Sequence, residues 1–378
     1  MSDRQKNIPD QSFSDNRTTG VGPDKPGNTG PDKGTKRPTP MRGPRNLKPI
    51  IMSLTLLLGL GSHRLQAQME TTVSLTGTYS DNVFQLSEQD LQRFDQDHQN
   101  LSFVNTTDDL TMALRADLAW PLRYKWWKFT PSVTGTISQN ISNTSKQRRD
   151  VILRLRTDRY YWNFTAAYGY YPLNYVRDYV DTDGTSQLEN FDYGKNLWRG
   201  DLNLRPLRKT TVQLHARYEQ YFYNQYWTEY DGNATTLGLG VRHSFPLFTL
   251  GAMYHWRSFE NSGAKDLDSS YESNIYTGSI RLRSMPLSDD NKKSPAWYPS
   301  LALSYEERLF QSGDAWYGNR EYKIYNTQAG LNFLLNPKLN ISLDYSHTFR
   351  NVESPLQTVL RSKEYGENKV SATVKYSL

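Results

Sequence analysis

From about residue 73 to its end, the chain alternates between apolar and polar positions. In VSLTGTYS, Val73, Leu75, Gly77 and Tyr79 share one face; in DLTMALRADLAW, Leu110, Met112, Leu114, Ala116, Leu118 and Trp120 face one way and Asp109, Arg115 and Asp117 the other. A period of two marks a strand whose two faces meet different media. The pattern returns as Val151, Leu153 and Leu155 against Arg154 and Arg156, and as Trp198, Gly200, Leu202 and Leu204 against Arg199 and Asp201. Further on, Val212, Leu214, Ala216 and Tyr218 oppose His215, Arg217 and Glu219, and Leu237, Leu239 and Val241 oppose Arg242. Phe248 to Trp256 oppose His255 and Arg257, Tyr276 to Leu282 oppose Arg281 and Arg283, and Leu301, Leu303 and Tyr305 oppose Glu306 and Arg308. The closing KVSATVKYSL sets Val370, Ala372, Val374, Tyr376 and Leu378 against Lys369, Ser371, Thr373, Lys375 and Ser377.

Fourteen such runs follow one another, most about a dozen residues long. Soluble strands average ~5 to 6 residues, whereas a strand crossing a bilayer needs ~9 to 11. The connections alternate between short turns, near 121–127, 157–160, 205–210, 244–247 and 336–338, with only the turn at 286–296 breaking the short class, and long polar loops, roughly 85–107, 141–149, 171–193, 223–233, 258–271, 311–321 and 350–365. Aromatics gather at run ends, as in Trp120, Tyr124, Trp126 and Trp127 and again in Tyr160, Tyr161 and Trp162, where amphipathic rings suit a headgroup layer. The expected fold is all-β: a transmembrane, antiparallel, up-and-down β-barrel of about 14 strands over residues 68–378. Lipid covers its apolar face, and closure pairs the last strand with the first, because a sheet in lipid cannot leave an edge bare.

The segment ahead of the barrel reads differently. Residues 1–40 are rich in Pro, Gly, Asp and Lys, with GPDK twice, and predict a disordered tail. Residues 41–67 have the order of a secretory signal peptide: Arg42, Arg45 and Lys48, then an apolar stretch from Pro49 to Gly61, then Leu65-Gln66-Ala67 as the cleavage site. Met41 opens a complete signal, which points to translation starting there.

Composition sharpens this in three ways. Aromatics make up 13% of the chain, more than a disordered sequence would carry. Cysteine is absent, which removes disulfides, thiolate metal sites and a lipoprotein anchor. The formal charge of +6 lies entirely in residues 1–67, so the remaining residues are neutral and nothing points to nucleic acid.

With its alternating apolar positions, the closing decapeptide resembles the C-terminal signal strand of bacterial outer-membrane β-barrel proteins. That resemblance implies recognition of Val370, Ala372, Val374, Tyr376 and Leu378 by the barrel assembly machinery, and insertion into outer-membrane lipid. Leu378 stands where the family usually ends in Phe. YSDNVFQLSEQDL, residues 79–91, is similar to the first-strand exit of porin-like barrels of unassigned function.

Chemistry-bearing motifs are few. No GxSxG, HExxH or glycine-rich phosphate loop occurs, so the expectation is no enzyme, no cofactor and no metal. His215 and His255 fall on the polar face, where ordinary lining is the simpler role than a barrel-borne lipase. DTDG at 181–184 and KDLD at 265–268 read as solvated acidic loops more simply than as calcium sites. The polar face carries twelve basic residues: Arg115, Arg154, Arg156, Arg199, Arg217, Arg242, Arg257, Arg281, Arg283, Arg308, Lys369 and Lys375. Against them stand six acids: Asp109, Asp117, Asp201, Glu219, Glu306 and Asp344. Two function classes follow. One is a porin-like channel for small polar or anionic solutes, lined by Arg115, Asp117, Arg154, Arg156, Arg217, Glu219, Arg242, Arg257, Arg281, Arg283, Glu306 and Arg308. The other is a non-conducting scaffold whose aromatic loops, with Tyr221, Tyr223, Tyr226, Trp227, Trp316 and Tyr317, contact a partner.

Overall fold

The computed structural model describes residues 69–378, except 182–183, 264–266, 288–294 and 315, together with two short paired strands, Gln11–Ser14 and Arg17–Gly20. That ladder is the one described feature of the tail read as disordered; the signal segment 41–67 lies outside the described residues.

Fourteen long strands form the body. They are β1 (Glu70–Ser80), β2 (Asp109–Ala119), β3 (Trp127–Asn140), β4 (Gln147–Arg159), β5 (Trp162–Val180), β6 (Leu188–Leu207) and β7 (Thr210–Tyr223). The second half continues with β8 (Gly232–Ser244), β9 (Phe248–Asn261), β10 (Tyr271–Leu282), β11 (Ala296–Phe310), β12 (Glu321–Leu334), β13 (Leu339–Glu353) and β14 (Tyr365–Ser377). Each pairs antiparallel with its sequence neighbour, and β14 pairs with β1. At this seam Val73 stands opposite Tyr376, Leu75 opposite Val374, and Tyr79 opposite Val370. The sheet is thus a closed barrel with no open edge, and its backbone groups are satisfied without water.

The outer surface is apolar because the alternate positions read from the sequence point outward. Leu75, Leu114, Ile137, Leu237, Leu239, Leu303 and Val370 are each about half exposed. A soluble protein would bury such a surface; a bilayer covers it. At the short-turn end Tyr124, Trp126, Tyr160 and Tyr161 are exposed, in the place of an interfacial girdle.

Two expected loops are folded otherwise. The stretch 171–193 is mostly strand: β5 runs to Val180 and β6 begins at Leu188, so these two strands rise well beyond a bilayer's thickness. The connection 81–108 is not a free polar loop either. It carries α1 (Glu88–Asp95), capped by the Ser87 hydroxyl, which accepts from the Asp90 N–H at 3.1 Å, and it turns inward. A second short helix, α2 (Gln357–Lys363), lies in the last long connection.

Candidate functional site in the barrel lumen

Toward the long-loop end the alternation inverts: the inward face becomes aromatic and the outward face polar. Phe191 and Tyr193 of β6, Tyr221 and Tyr223 of β7, Phe259 of β9, Tyr271 of β10, Phe310 of β11 and Tyr322 of β12 are all buried in one cluster. Their rings follow one another around the barrel, with Phe259 stacked on Tyr271 at 5.4 Å, Tyr271 tilted against Phe310 at 5.6 Å and Phe310 edge-on to Tyr322 at 5.1 Å. Trp227, Tyr230, Trp316, Tyr317 and Val359 fold in from the connections. Arg320 lies 4.4 Å from the Phe310 and Tyr317 ring centres, and Arg350 lies 4.8 Å from that of Tyr322. The guanidinium planes therefore pack into the cluster by cation–π contact.

A second cluster, Phe84, Leu86, Leu101, Val104 and Tyr175, closes the side near β1. All of it but Tyr175 of β5 belongs to the inward connection 81–108, which is held from three directions. Lys146 Nζ donates to the Val83 carbonyl at 2.8 Å and lies 4.5 Å from the Phe84 ring centre. Asn82 Nδ2 donates to the Gly366 carbonyl at 3.0 Å, and Arg177 pairs with Asp90 at 3.6 Å. At the inner tip, Gln85 adopts a left-handed φ of 51°, and its Nε2 donates to Glu367 Oε2 at 2.8 Å. Together the clusters make an apolar ceiling at the long-loop end. This overturns the expectation that Tyr221, Tyr223, Trp227, Trp316 and Tyr317 face a partner: their side chains are buried inside, because the inner wall there offers apolar area and the water outside does not.

Beneath the ceiling the lumen holds two chambers of about 500 and 490 Å³ that meet at Gln85, Arg217, Arg257, Glu367 and Lys369. The first is lined by nine basic side chains, Arg115, Lys146, Arg148, Arg154, Lys195, Arg199, Arg217, Arg257 and Lys369, against three carboxylates, Asp150, Glu219 and Glu367. The second is neutral in formal charge, with Thr, Ser, Asn and Gln between Glu306, Asp344 and Glu367 on one side of the balance and Arg217, Arg257 and Lys369 on the other. Positive charge is therefore concentrated on the wall built from β2 to β7.

The cations are held by a simple device. Residues two apart on a strand share a face and lie ~6.6 Å apart, within reach of an arginine. Arg115 pairs so with Asp117 at 2.8 Å, Arg148 with Asp150 at 3.2 Å, Arg156 with Asp158 at 2.8 Å and Arg199 with Asp201 at 2.8 Å. Arg308 pairs with Glu306 at 2.6 Å, and Lys369 with Glu367. Glu219 is shared: Lys195 at 2.9 Å, Arg257 at 3.0 Å and Arg217 at 3.9 Å surround one nearly fully buried carboxylate. Asp117 is shared by Arg115 and, at 3.8 Å, Arg154, which also donates to Thr134 Oγ1 at 2.7 Å. Pairing thus orders the side chains without cancelling the excess of positive charge.

His215 Nδ1 lies 2.6 Å from Asp201 Oδ1, and its ring meets that of His255 edge-on at 5.3 Å. Gly238 is the register partner of both histidines, and a side chain there would collide with the His255 ring.

Of the residues read from sequence as lining, Arg115, Arg154, Arg217, Glu219, Arg257 and Glu306 stand on the chamber walls, and Asp117 lies beside Arg115. Arg156 and Arg242 are exposed near the short-turn end. Arg281 stacks 5.5 Å from the Tyr298 ring centre, and Arg283 falls beyond the end of β10. Arg308 is fully buried in the ceiling, 4.6 Å from the Tyr271 ring centre, so it is a packing residue and not a lining one. The sequence reading missed Gln85, Lys146, Arg148, Asp150, Lys195 and Glu367. Most of these sit where the apolar pattern inverts, although the spacing Arg-x-Asp or Arg-x-Glu was visible. The proposed acidic loops 181–184 and 265–268 lie partly outside the described residues, and no cluster suited to a metal occurs among the described residues.

No protein-family model and no curated relative matches this chain. Among solved structures it is similar to an anion-selective porin from Comamonas acidovorans, at 9% identity and a TM-score of 0.41, covering 83% of this chain and 99% of that one. A bacterial polysaccharide outer membrane secretin matches at 7% identity and a TM-score of 0.43, covering 82% and 98%. The CymD monoaromatic hydrocarbon channel matches at 11% and 0.41, covering 83% and 89%. Likeness at this level carries no argument about function. The closed even-stranded barrel, its apolar exterior and its alternating connections define a bacterial outer-membrane β-barrel protein.

Proposed function

We propose that the protein is a porin-like channel whose lumen favours small anionic solutes. The supporting observation is the wall of the first chamber, where nine basic side chains, seven of them carried between β2 and β7, face three carboxylates. In a low-dielectric wall such an excess raises the local concentration of anions and sets ion preference. Arginine stays charged at every accessible pH, so the preference persists across the physiological range. No step of bond-making chemistry enters this reading.

The ceiling favours a second reading, a barrel that does not conduct in its resting form. Bilayer recordings on refolded protein separate the two. An anion-preferring reversal potential in a salt gradient supports the channel. Replacing Arg115 and Arg154 with Glu should then lower the anion-to-cation permeability ratio roughly two- to fivefold, and less at high salt, where screening shortens the field. A cation-selective wild-type pore sinks the proposal. Absence of conductance under all voltages supports the closed barrel.

A further inference from the structure

We infer that the short-turn mouth of the lumen is a capture site for small multivalent anions, loaded from the periplasmic side. The inference deepens the anion-channel reading by adding the valence of the solute and its side of entry, and rests on that reading for passage beyond the mouth.

Strands β4, β6, β8, β10 and β14 all descend to the short-turn end, and near its lower end each carries one basic side chain: Arg156, Arg205, Arg242, Arg281 and Lys375. Alternation aims them into the lumen, because the residues beside them, Leu204, Val241, Leu282 and Tyr376, are exposed on the lipid face. All five basic residues are exposed. Arg156 is tied to Asp158 at 2.8 Å, and Arg281 rests against the Tyr298 ring. Among the described residues, no carboxylate lies within ion-pair distance of Arg205, Arg242, Arg281 or Lys375. The inward acids at this end are Glu70, Asp117 and Asp158, and the last two already hold Arg115 and Arg156. In the chamber above, Arg115, Arg148 and Arg199 are each matched by a carboxylate two residues on. The positive charge left over for a diffusing solute is therefore at the mouth.

Spacing selects valence. From β4 to β10 the cations recur on every second strand, so their backbones stand roughly 10 Å apart, twice the strand spacing. A solute with one charge engages one of these side chains; a solute with several charges bridges two or more, and each further charge adds its own attraction. The planar guanidinium takes phosphate or carboxylate oxygens in pairs, and the low-dielectric wall focuses the field across the opening. The opposite end repels the same solute. At the long-loop connections the exposed acids, among them Asp95, Asp97, Glu260, Glu353 and Glu364, outnumber the exposed bases Arg149 and Arg361 among the described residues, and the apolar ceiling lies across the way in. Short turns of outer-membrane barrels face the periplasm, so a multivalent anion is drawn to the lumen from there.

Calorimetry on the refolded full chain, in uncharged detergent at low salt, compares tripolyphosphate with inorganic phosphate. Tripolyphosphate should bind at least about tenfold more tightly, and added salt should erode the difference, because screening acts on each of its charges. Arg205→Gln with Arg242→Gln should weaken tripolyphosphate binding at least about fivefold, whereas Arg149→Gln with Arg361→Gln, which removes the same charge at the long-loop end, should change it less than about twofold. Sided block of the wild-type pore covers the case in which the mouth variant does not fold: tripolyphosphate should block from the short-turn side only. Ser284→Cys, exposed just past β10 in a chain with no other thiol, identifies that side by its reaction with a membrane-impermeant reagent. Equal binding of phosphate and tripolyphosphate overturns the inference, as do equal losses in the two double variants, or block from the long-loop side or from both. Valence-dependent binding that is lost in the mouth variant, by a barrel without conductance, sinks the channel reading and leaves the site. An anion-selective pore without sided block does the reverse.

Discussion

Thr76 of β1 and Thr373 of β14 face each other across the closing seam, with their hydroxyl oxygens 2.9 Å apart. The pair lies nearly three hundred residues apart in sequence, and no local interaction brings it together. Directly opposed strand residues fall within the Cα separation that a disulfide spans, and the chain has no cysteine of its own. Thr76→Cys with Thr373→Cys should therefore cross-link on mild oxidation, giving a reducible mobility shift in denaturing electrophoresis. Neither single variant should do so. A folded double variant that does not cross-link would show that β1 and β14 are not neighbours in this register.

Glu219 holds three cations, and its removal should be costly. Breaking a buried ion pair by deleting one partner costs about 3 to 5 kcal/mol, because the remaining charge stays buried. Glu219→Gln should lower the temperature at which the detergent-resistant barrel unfolds, and Glu219→Asp should restore part of it. An unchanged unfolding temperature would mean that Lys195, Arg217 and Arg257 are relieved by water.

The stacked pair Phe259 and Tyr271 sits in the ceiling, both rings almost fully buried. Trimming both to Ala should open the long-loop end and raise single-channel conductance, at a stability cost of about 3 to 5 kcal/mol for each ring. If the conductance of a folded double variant equals that of the wild type, the ceiling does not limit passage.

Lys146 gives a pH signature outside the membrane span. Burial of its ammonium against Val83 and Phe84 pushes its pKa down from 10.5 to about 7, with Glu367 acting in the opposite direction and Lys369 and Arg177 in the same one. Between about 7 and 10.5 the unfolded chain binds a proton that the folded one does not, so stability rises with pH across that window. Unfolding followed from pH 6 to 10 should show this rise in the wild type and a flatter profile in Lys146→Met. A wild-type profile that falls over the same range would contradict the assignment.

How far the sequence could be read depended on which medium each residue met. Where strands cross lipid, the outward face must be apolar and the inward face polar, so Leu75, Leu114, Leu239, Leu303 and Val374 announced both strand and direction. The same rule put Arg115, Arg154, Arg217 and Arg257 on the inner wall, and the demand that a sheet in lipid have no bare edge required the seam at Thr76 and Thr373. Beyond the lipid that rule lapses. There water lies outside and neighbouring strands lie inside, so Phe191, Tyr193, Tyr223, Phe259 and Tyr322 turn inward, and the stretches that carry all of these but Tyr322 read as polar loops. Only the closed structure decided that these rings would meet one another, that the connection 81–108 would turn into the lumen, and that Gln85 would reach Glu367 on the last strand. Gln85 and Glu367 stand 282 positions apart, and which residues meet there is set by barrel closure, not by any local pattern.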